Sequence, residues 1–537
     1  MSEKSRRLTH SGELKNGTHP LPDPPRMPHV SNDRTTKRKA ALIGVLSAGV
    51  ALGTAELVSA ATGPNSSPVT AVGSSAIDLA PVWLKDFAIS TFGNYDKPVL
   101  LGGILVALVV FAAVAGIVAV RRFAVGAVMI GLLGAVGALA ALTRPSASPL
   151  DALPSLAAIL AGAAALHLLL GGGSSADSPD GSPSRRKFLI TGTGAAVYAA
   201  LGASVGRILQ QRAGDVAESR AAIKLPAPVS PAAARPNGHS FPIPGLTSFE
   251  TPNRDFYRVD TALVIPEITA EEWTLRIHGM VDRPVELTFA DLMAKPLIER
   301  DITLCCVSNE VGGPYASTAR WLGFPLAQLL REAGVQAGAN QLVGTDHAGM
   351  TIGTPLDVVL DGRESLLAIG MNGEPLLPTN GFPVRQLVPG LFGYTSATKW
   401  LVDLELTTFD KYDAYWTERQ WDPIGTVLTA SRIDVPKPFA QVPAGPVTVA
   451  GVAWAQHRGI GAVQFRVDGG EWQSTQLSTE VSPDTWRQWR ASVQLDKGLH
   501  RFEVRAADGR GDWQPEERTR PFPRGATGWH SVAVTVT

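Results

Sequence analysis

Thr303-Leu304-Cys305-Cys306-Val307-Ser308-Asn309-Glu310 is the stretch on which the fold turns, because it holds both cysteines of this 537-residue chain. Neighbouring cysteines seldom pair with each other and there is no third, so a disulfide framework and a four-ligand zinc site are both excluded. What remains is a thiolate with chemistry of its own or an inert buried pair, since free cysteine is among the most buried residue types. The segments on either side carry the choice between the two.

Lys plus Arg and Asp plus Glu balance at 48 each, so no global field points to nucleic acid and only the placement of charge informs. Up to about residue 210 the chain is rich in Ala, Gly, Leu and Val, whereas beyond about residue 240 it reads as an ordinary globular protein. Apolar stretches of bilayer-crossing length lie near 41–62, 98–120, 123–143, 153–171 and 188–206. Their flanks alternate in charge. The amino-terminal tail and the loops holding Arg121-Arg122 and Arg185-Arg186-Lys187 are basic, while 63–97 and 144–152 hold only Lys85, Lys97 and Arg144 against Asp78, Asp86, Asp96 and Asp151. The positive-inside tendency then predicts a disordered cytoplasmic tail over 1–39, five transmembrane helices over 40–210, and a carboxyl-terminal region outside the cell membrane. Glu56 and His167 are the ionisable residues inside these stretches, and a charge within a span is a functional candidate by default, although Glu56 lies late in its span, within reach of the interface. A lone His cannot supply two-His haem ligation, so no haem is expected in this chain.

The loop before the fifth stretch reads Ser184-Arg185-Arg186-Lys187-Phe188-Leu189 ahead of a Gly/Ala-rich apolar run. It looks like a twin-arginine export signal, a pathway that moves domains already folded around a cofactor. The bland reading is two more positive-inside arginines.

A linker over 211–247, Pro/Ala-rich from 222, leads into an ordered set of segments: Thr251-Pro252-Asn253-Arg254-Asp255-Phe256-Tyr257-Arg258-Val259-Asp260, Trp273 to Gly279, Asp301 to Gly313, Ser317 to Leu326, Met371 to Leu376, Gly381-Phe382-Pro383-Val384-Arg385 and Val388-Pro389-Gly390. In this order and spacing they resemble the molybdopterin domain of the sulfite oxidase family, in particular its membrane-anchored actinobacterial branch, over about residues 245–410. The resemblance implies an α+β molybdopterin-binding oxidoreductase domain at 248–425 and a molybdenum-molybdopterin cofactor. A molybdenum oxo centre on one pterin dithiolene takes one further soft ligand, which a cysteine thiolate supplies. The family pattern Thr-Leu-x-Cys-x-x-Asn places the metal ligand on Cys306, with Asn309 three residues later, and puts Cys305 where the family requires no thiol. The resemblance further implies cofactor contacts from Asn253, Tyr257 and Arg258, from Asn380 and Arg385, and from Gly393, Ser396 and Lys399 around the phosphate end. Cys306 and Arg258 are the implied catalytic residues.

Two departures bear on substrate. The family's sulfite oxidases carry arginine after the motif asparagine, where this chain has Glu310, and an active-site tyrosine near the position of Met350 or Thr351. With Glu310 in the pocket a dianion is repelled, by a Coulomb energy on the order of a kcal/mol or more at close range. That reasoning disfavours sulfite and favours a neutral, sulfoxide-type substrate.

Past residue 430, Val463, Phe465 and Val467 alternate with polar neighbours, as do Trp489 to Leu495 and Phe502 to Ala506, between Gly/Asp turns. Short alternating strands of this kind suggest an immunoglobulin-like β-sandwich over 430–537, and the region is similar to the family's dimerisation-type domain, which implies a possible homodimer. Asp484-Thr485-Trp486-Arg487-Gln488-Trp489 reads as a core Trp pair with exposed arginines. The chain is thus expected to be multi-domain: helical transmembrane region, molybdopterin domain, β-sandwich. The expected function is two-electron oxo transfer on a small molecule, with the cofactor carrying the chemistry and with a quinone or cytochrome as electron partner. The alternatives are sulfite oxidase proper and a non-enzymatic, membrane-tethered redox-sensing module.

Overall fold

The computed structural model describes residues 31–63, 66–81, 84, 87–88, 91–92, 95–144, 147–171, 185–210 and 213–537. Most of the amino-terminal tail and all but the end of the loop before the fifth apolar stretch, with the first residue of its Ser-Arg-Arg segment, lie outside these residues. Among the described residues helices come first: α1 (Ser31–Thr62), α2 (Pro68–Leu79), α3 (Asp96–Arg121), α4 (Phe123–Leu142), α5 (Leu153–Gly171), α6 (Arg185–Gln210) and α7 (Ala213–Ala222). Five of them, α1, α3, α4, α5 and α6, are long and apolar enough to cross a membrane. Large apolar side chains such as Val106, Leu160 and Leu168 are more than half exposed, a surface that lipid solvates and water does not. This part of the chain is a membrane protein.

α1 is the hub, packed against α3, α5 and α6. Its approach to α3 is so close that a Cβ on Gly44 would stand 2.0 Å from the Ala112 carbonyl oxygen, and one on Gly116 2.2 Å from that of Ala40. Only glycine fits there, as at small-residue crossings in other membrane bundles. Glu56, near the end of α1, accepts a 2.7 Å hydrogen bond from the Ser67 hydroxyl just before α2. That bond ties the two helices together.

The linker region is laid along the following domain: α7 donates from Ser219 to Glu271 and from Arg220 to the Leu376 carbonyl, and Arg235 pairs with Asp301. The domain itself is β-rich. In β1 (Thr274–Gly279), Leu275 and Ile277 are wholly buried while their neighbours are not, the pattern of a strand with one face in the core. β1 pairs with β2 (Val285–Thr288), in a sheet ordered β2-β1-β10-β5-β6 with β5 (Gln341–Asp346), β6 (Thr351–Pro355) and β10 (Leu401–Thr407). A second sheet runs through β3 (Ile298–Cys305), β4 (Ala316–Pro325), β7 (Leu366–Met371) and β8 (Glu374–Pro375), with β9 (Arg385–Leu387) on β7. β7 is buried at every position, which its unbroken apolar sequence anticipates. Trp273, Trp321, Phe324 and Leu404 fill the core between the sheets.

Helices in this domain are short. Phe289–Met293 starts from a capping box between Thr288 and Asp291, and Leu326–Ala333 stops at Gly334, whose φ of 78° closes it with the left-handed residue such ends need.

The last region has two sheets around one core of Val449, Phe465, Trp489, Phe502 and Val534. One is ordered β11 (Ala430–Val435), β13 (Gly445–Trp454), β17 (Arg487–Leu495), β16 (Gln476–Leu477); the other β12 (Gln441–Val442), β19 (His530–Val536), β18 (Gly498–Asp508), β14 (Ile460–Val467), β15 (Gln473–Ser474). The tryptophan pair divides: Trp489 belongs to this core, whereas Trp486 packs beside Cys305 at the junction with the preceding domain and donates to the Phe249 carbonyl at 2.9 Å. Arg487 is only half exposed, because its guanidinium is held by the Ser478 and Ile460 carbonyls.

Candidate active site

β3 ends at Cys305, paired across to Ala316 on β4, and Cys306 begins the loop that returns to β4. Successive residues at a strand end face opposite ways. Cys305 accordingly points into the apolar junction with Phe392, Trp454 and Trp486, while Cys306 lines a cavity of about 660 Å³. The Cys306 amide donates to the Tyr315 carbonyl at 2.9 Å, and Asn309 Oδ1 accepts from the Tyr315 amide at 2.8 Å, so the loop is closed on itself.

Tyr257, Cys306, Asn380, Arg385, Gly393 and Lys399 share the cavity wall. Arg258 stands one ion pair outward, its Nε 2.8 Å from Asp260, which does line the cavity. The remaining three serve the frame. Asn253 donates to the Met371 carbonyl and accepts from Asn372, Ser396 donates to the Phe392 carbonyl at 2.9 Å, and Asn309 closes the Cys306 loop from the Cys305 side.

Glu310 is a correction. It does not line the Cys306 cavity; it is exposed and borders a void of about 20 Å³ beside Cys305 and Trp454. The turn Asn309 N–H to Cys306 carbonyl, followed by Gly313 N–H to Glu310 carbonyl, ends the strand alternation and swings Glu310 to the opposite face. The repulsion argued from its charge therefore has no pocket to act in. Met350 does line the cavity, where its sulfur accepts from Thr261.

The charges are unevenly satisfied. Asp260 is bound by three cations, Lys399 at 2.6 Å, Lys97 at 2.8 Å and Arg258 at 2.8 Å. Burial by itself would raise its pKa, but Lys399, Lys97 and Arg258 together hold the carboxyl well below the usual range. Burial brings Lys399 down to about 8 despite Asp260, and Arg385 down to about 10. Asp346, also on the wall, is pushed up to about 6 by burial although it accepts from the Ala348 and Met350 amides. Burial raises both thiols; at Cys306, hydrogen bonds from Ser308 draw the value back.

Arg385 is the most telling residue. It is 6% exposed, stacks over Trp321 at 5.2 Å, and donates from one Nη to the Asn380 carbonyl, yet its Nε has no partner among the described residues. The same holds for Thr398 Oγ1, also on the cavity wall. Buried donors of this kind call for a ligand that accepts.

Sequence reasoning did not assign Asp260, Asp346, Thr398 or Lys97. Asp260 closes the quoted Thr251–Asp260 segment, and Lys97 heads an apolar stretch; in each case the signal was position without a known partner.

The family profile described as oxidoreductase molybdopterin binding domain matches residues 262–416. The mitochondrial sulfite oxidase of Drosophila melanogaster is 29% identical over 369 residues, 57% of this chain and 63% of that one. The nitrate reductase [NAD(P)H] of Hordeum vulgare is 31% identical over 371 residues, 56% of this chain and 41% of that one. The uncharacterized oxidoreductase YuiH of Bacillus subtilis is 34% identical over 145 residues, 27% of this chain and 70% of that one. The chain spans about 60% of the length of the mitochondrial sulfite oxidases it matches.

These matches and the β-rich domain around Cys306 define a molybdopterin-binding oxidoreductase domain. The chain belongs to the sulfite oxidase family of molybdopterin oxidoreductases, and its cofactor is molybdenum-molybdopterin. The residues present fit that group. Cys306 presents a thiol to the cavity, and Arg385 Nε and Thr398 Oγ1 on the same wall have no partner among the described residues, a set of groups that suits a soft metal and a hydrogen-bonding pterin. Gly393, Asn380 and Tyr257 complete that wall.

Proposed function

We propose that the protein is a membrane-anchored, molybdenum-dependent oxidoreductase that carries out two-electron oxo transfer on a small neutral molecule of the sulfoxide type at the extracytoplasmic face. The cofactor, when bound, would exchange one oxo group for one electron pair with the substrate, taking up the oxygen as it gives two electrons or giving the oxygen as it takes them. The chain's own residues position it: the Cys306 thiolate as metal ligand, Arg385 and Thr398 as donors, and Lys399, fixed by Asp260, as a buried cation beside them. A neutral substrate is favoured because the cavity's other charges are committed, Lys97 and Lys399 to Asp260 and Asp78 to the Tyr415 hydroxyl at 2.6 Å. Trp400, Trp416 and Trp421 make the remaining wall apolar.

Placement outside the membrane is supported by charge and by contact together. The weakly charged segments after α1 and after α4 are those that meet the catalytic domain: Lys97 binds Asp260, Asp78 binds Tyr415, and Arg144 feels the charges of Asp78, Asp151 and Asp346. Arg121 and Arg122, a strongly basic pair, stand at the far end of α3 from Lys97. The twin-arginine reading of Arg185-Arg186, the immunoglobulin-like character of 430–537 and the homodimer belong to the same proposal.

The observation that carries the function is Cys306 facing the cavity while Cys305 faces the protein. Cys306→Ser should abolish oxo transfer and shift the Mo(V) electron paramagnetic resonance signal, because hard oxygen replaces soft sulfur at the metal. Cys305→Ser should leave both nearly intact. The reverse outcome would move the ligand to Cys305 and sink the assignment.

A further inference from the structure

The cavity over Cys306 is not enclosed by the catalytic domain alone. Val99 and Leu100, in the first turns of α3, line it, and so do Leu84, Phe87 and Phe92 from the segment between α2 and α3. The apolar window of α3 begins at Lys97. One wall of the cavity is therefore the start of a membrane-crossing helix, and that wall is greasy.

The facing wall is aromatic. Trp416 and Trp421 meet edge to face with centroids 6.1 Å apart, Tyr415 meets Trp416 at 4.9 Å, and Tyr394 lies 5.7 Å from Trp421. These rings already touch one another, and the aromatic surface they build together is one that a flat ring packs against. Arg419, on the same wall, lies over Tyr415 at 3.5 Å, and its Nε is buried with no hydrogen-bond partner among the described residues. A buried N–H without a partner calls for an acceptor that arrives with the ligand, and a ring carbonyl oxygen is such an acceptor.

We infer that the outer half of this cavity binds a lipid-soluble ring of the quinone class drawn from the bilayer. The inference rests on the function proposed above, in which α3 spans the membrane and Cys306 holds the cofactor, and it names which of the two expected electron partners this site takes. Ring carbonyls answer Arg419, the ring answers the tryptophans, and an alkyl tail answers Val99 and Leu100. A soluble protein carrier could satisfy none of these groups, because they lie inside the cavity.

The test uses the full chain, loaded with molybdenum, in nanodiscs of phosphatidylcholine free of quinone. A decyl-substituted benzoquinone is titrated in and tryptophan fluorescence quenching is followed, beside an alkane of equal chain length without the ring. Saturable quenching by the quinone, no response to the alkane, and a dissociation constant raised at least tenfold by Arg419→Gln and by Leu100→Gln are expected. Should Leu100→Gln lose its molybdenum, Arg419→Gln decides alone. Unsaturable partitioning that is equal in wild type and variants, or displacement of the quinone by the alkane, overturns the inference while molybdenum remains bound. Wild-type protein that holds no molybdenum overturns the underlying functional reading instead.

Discussion

Replacing Asp260 with asparagine removes one carboxylate from among three cations, and the structure sets the size of the loss. The Asp260 side chain is 5% exposed, Lys399 12% and Lys97 21%, so two of its ion pairs are shielded from water; Arg258, at 36%, is screened and adds little. Breaking a buried pair by removing one partner costs about 3–5 kcal/mol, because the other charge is left uncompensated. At about 2–4 °C per kcal/mol for a domain of this size, the melting temperature of the molybdopterin domain should fall by roughly 6–20 °C. The sign with pH follows from the depressed Asp260 pKa. The stabilisation is fully present above the ordinary carboxylate value of about 4 and is lost as pH falls below it, so wild type and variant should converge in acid. Scanning calorimetry in nanodiscs from pH 3 to pH 8 measures both. A double-mutant cycle with Lys97→Met should show a coupling of about 1–3 kcal/mol, since the two side chains touch. A shift below about 2 °C, or no coupling, would refute the view that a membrane-helix lysine is built into the edge of the catalytic cavity.

Asp346 gives the opposite pH sense. Its carboxyl, raised to about 6 by burial, holds a proton that the unfolded chain has already released, so stability should fall by up to about 3 kcal/mol as pH rises from about 4 to about 6; Asp346→Asn should flatten that slope in denaturant titrations. Glu310→Gln should leave kcat/KM within twofold for both sulfite and a sulfoxide, because Glu310 lies on the Cys305 side; a tenfold gain with sulfite alone would return it to the pocket. Reporter fusions at residues 150 and 400 should both report the extracytoplasmic side, and a cytoplasmic signal at 400 would end the topology argued from the loop charges.

The choice between the two cysteines came from the family motif, which pointed to Cys306, and local geometry agrees with it: β3 ends at Cys305, so alternation sets the two thiols on opposite faces. Arg385 and Lys399 were implied by the same resemblance, and both line the cavity that Cys306 faces. Glu310 was misread although it is only four residues beyond Cys306. Between them the chain turns once, over Cys306 to Asn309, and a second turn starts at Glu310, and the period-two rule that holds within a strand says nothing about the facing of residues in a closed loop.

The sequence by itself determined the membrane part and the catalytic part, because apolar length and loop charge are properties of composition that any packing must respect. The cofactor domain was legible too, through the resemblance of its ordered segments to a known family. Only the tertiary structure decided what joins the two parts. Lys97 meets Asp260 across 163 residues and Asp78 meets Tyr415 across 337, and no local pattern can encode such pairs. They depend on how α1 and α3 close on each other at Gly44 and Gly116, and on where the cavity's rim then falls against the helix ends. Periodicity fixes the direction of a side chain within its own element, whereas a partner from another element is set by the packing of the whole.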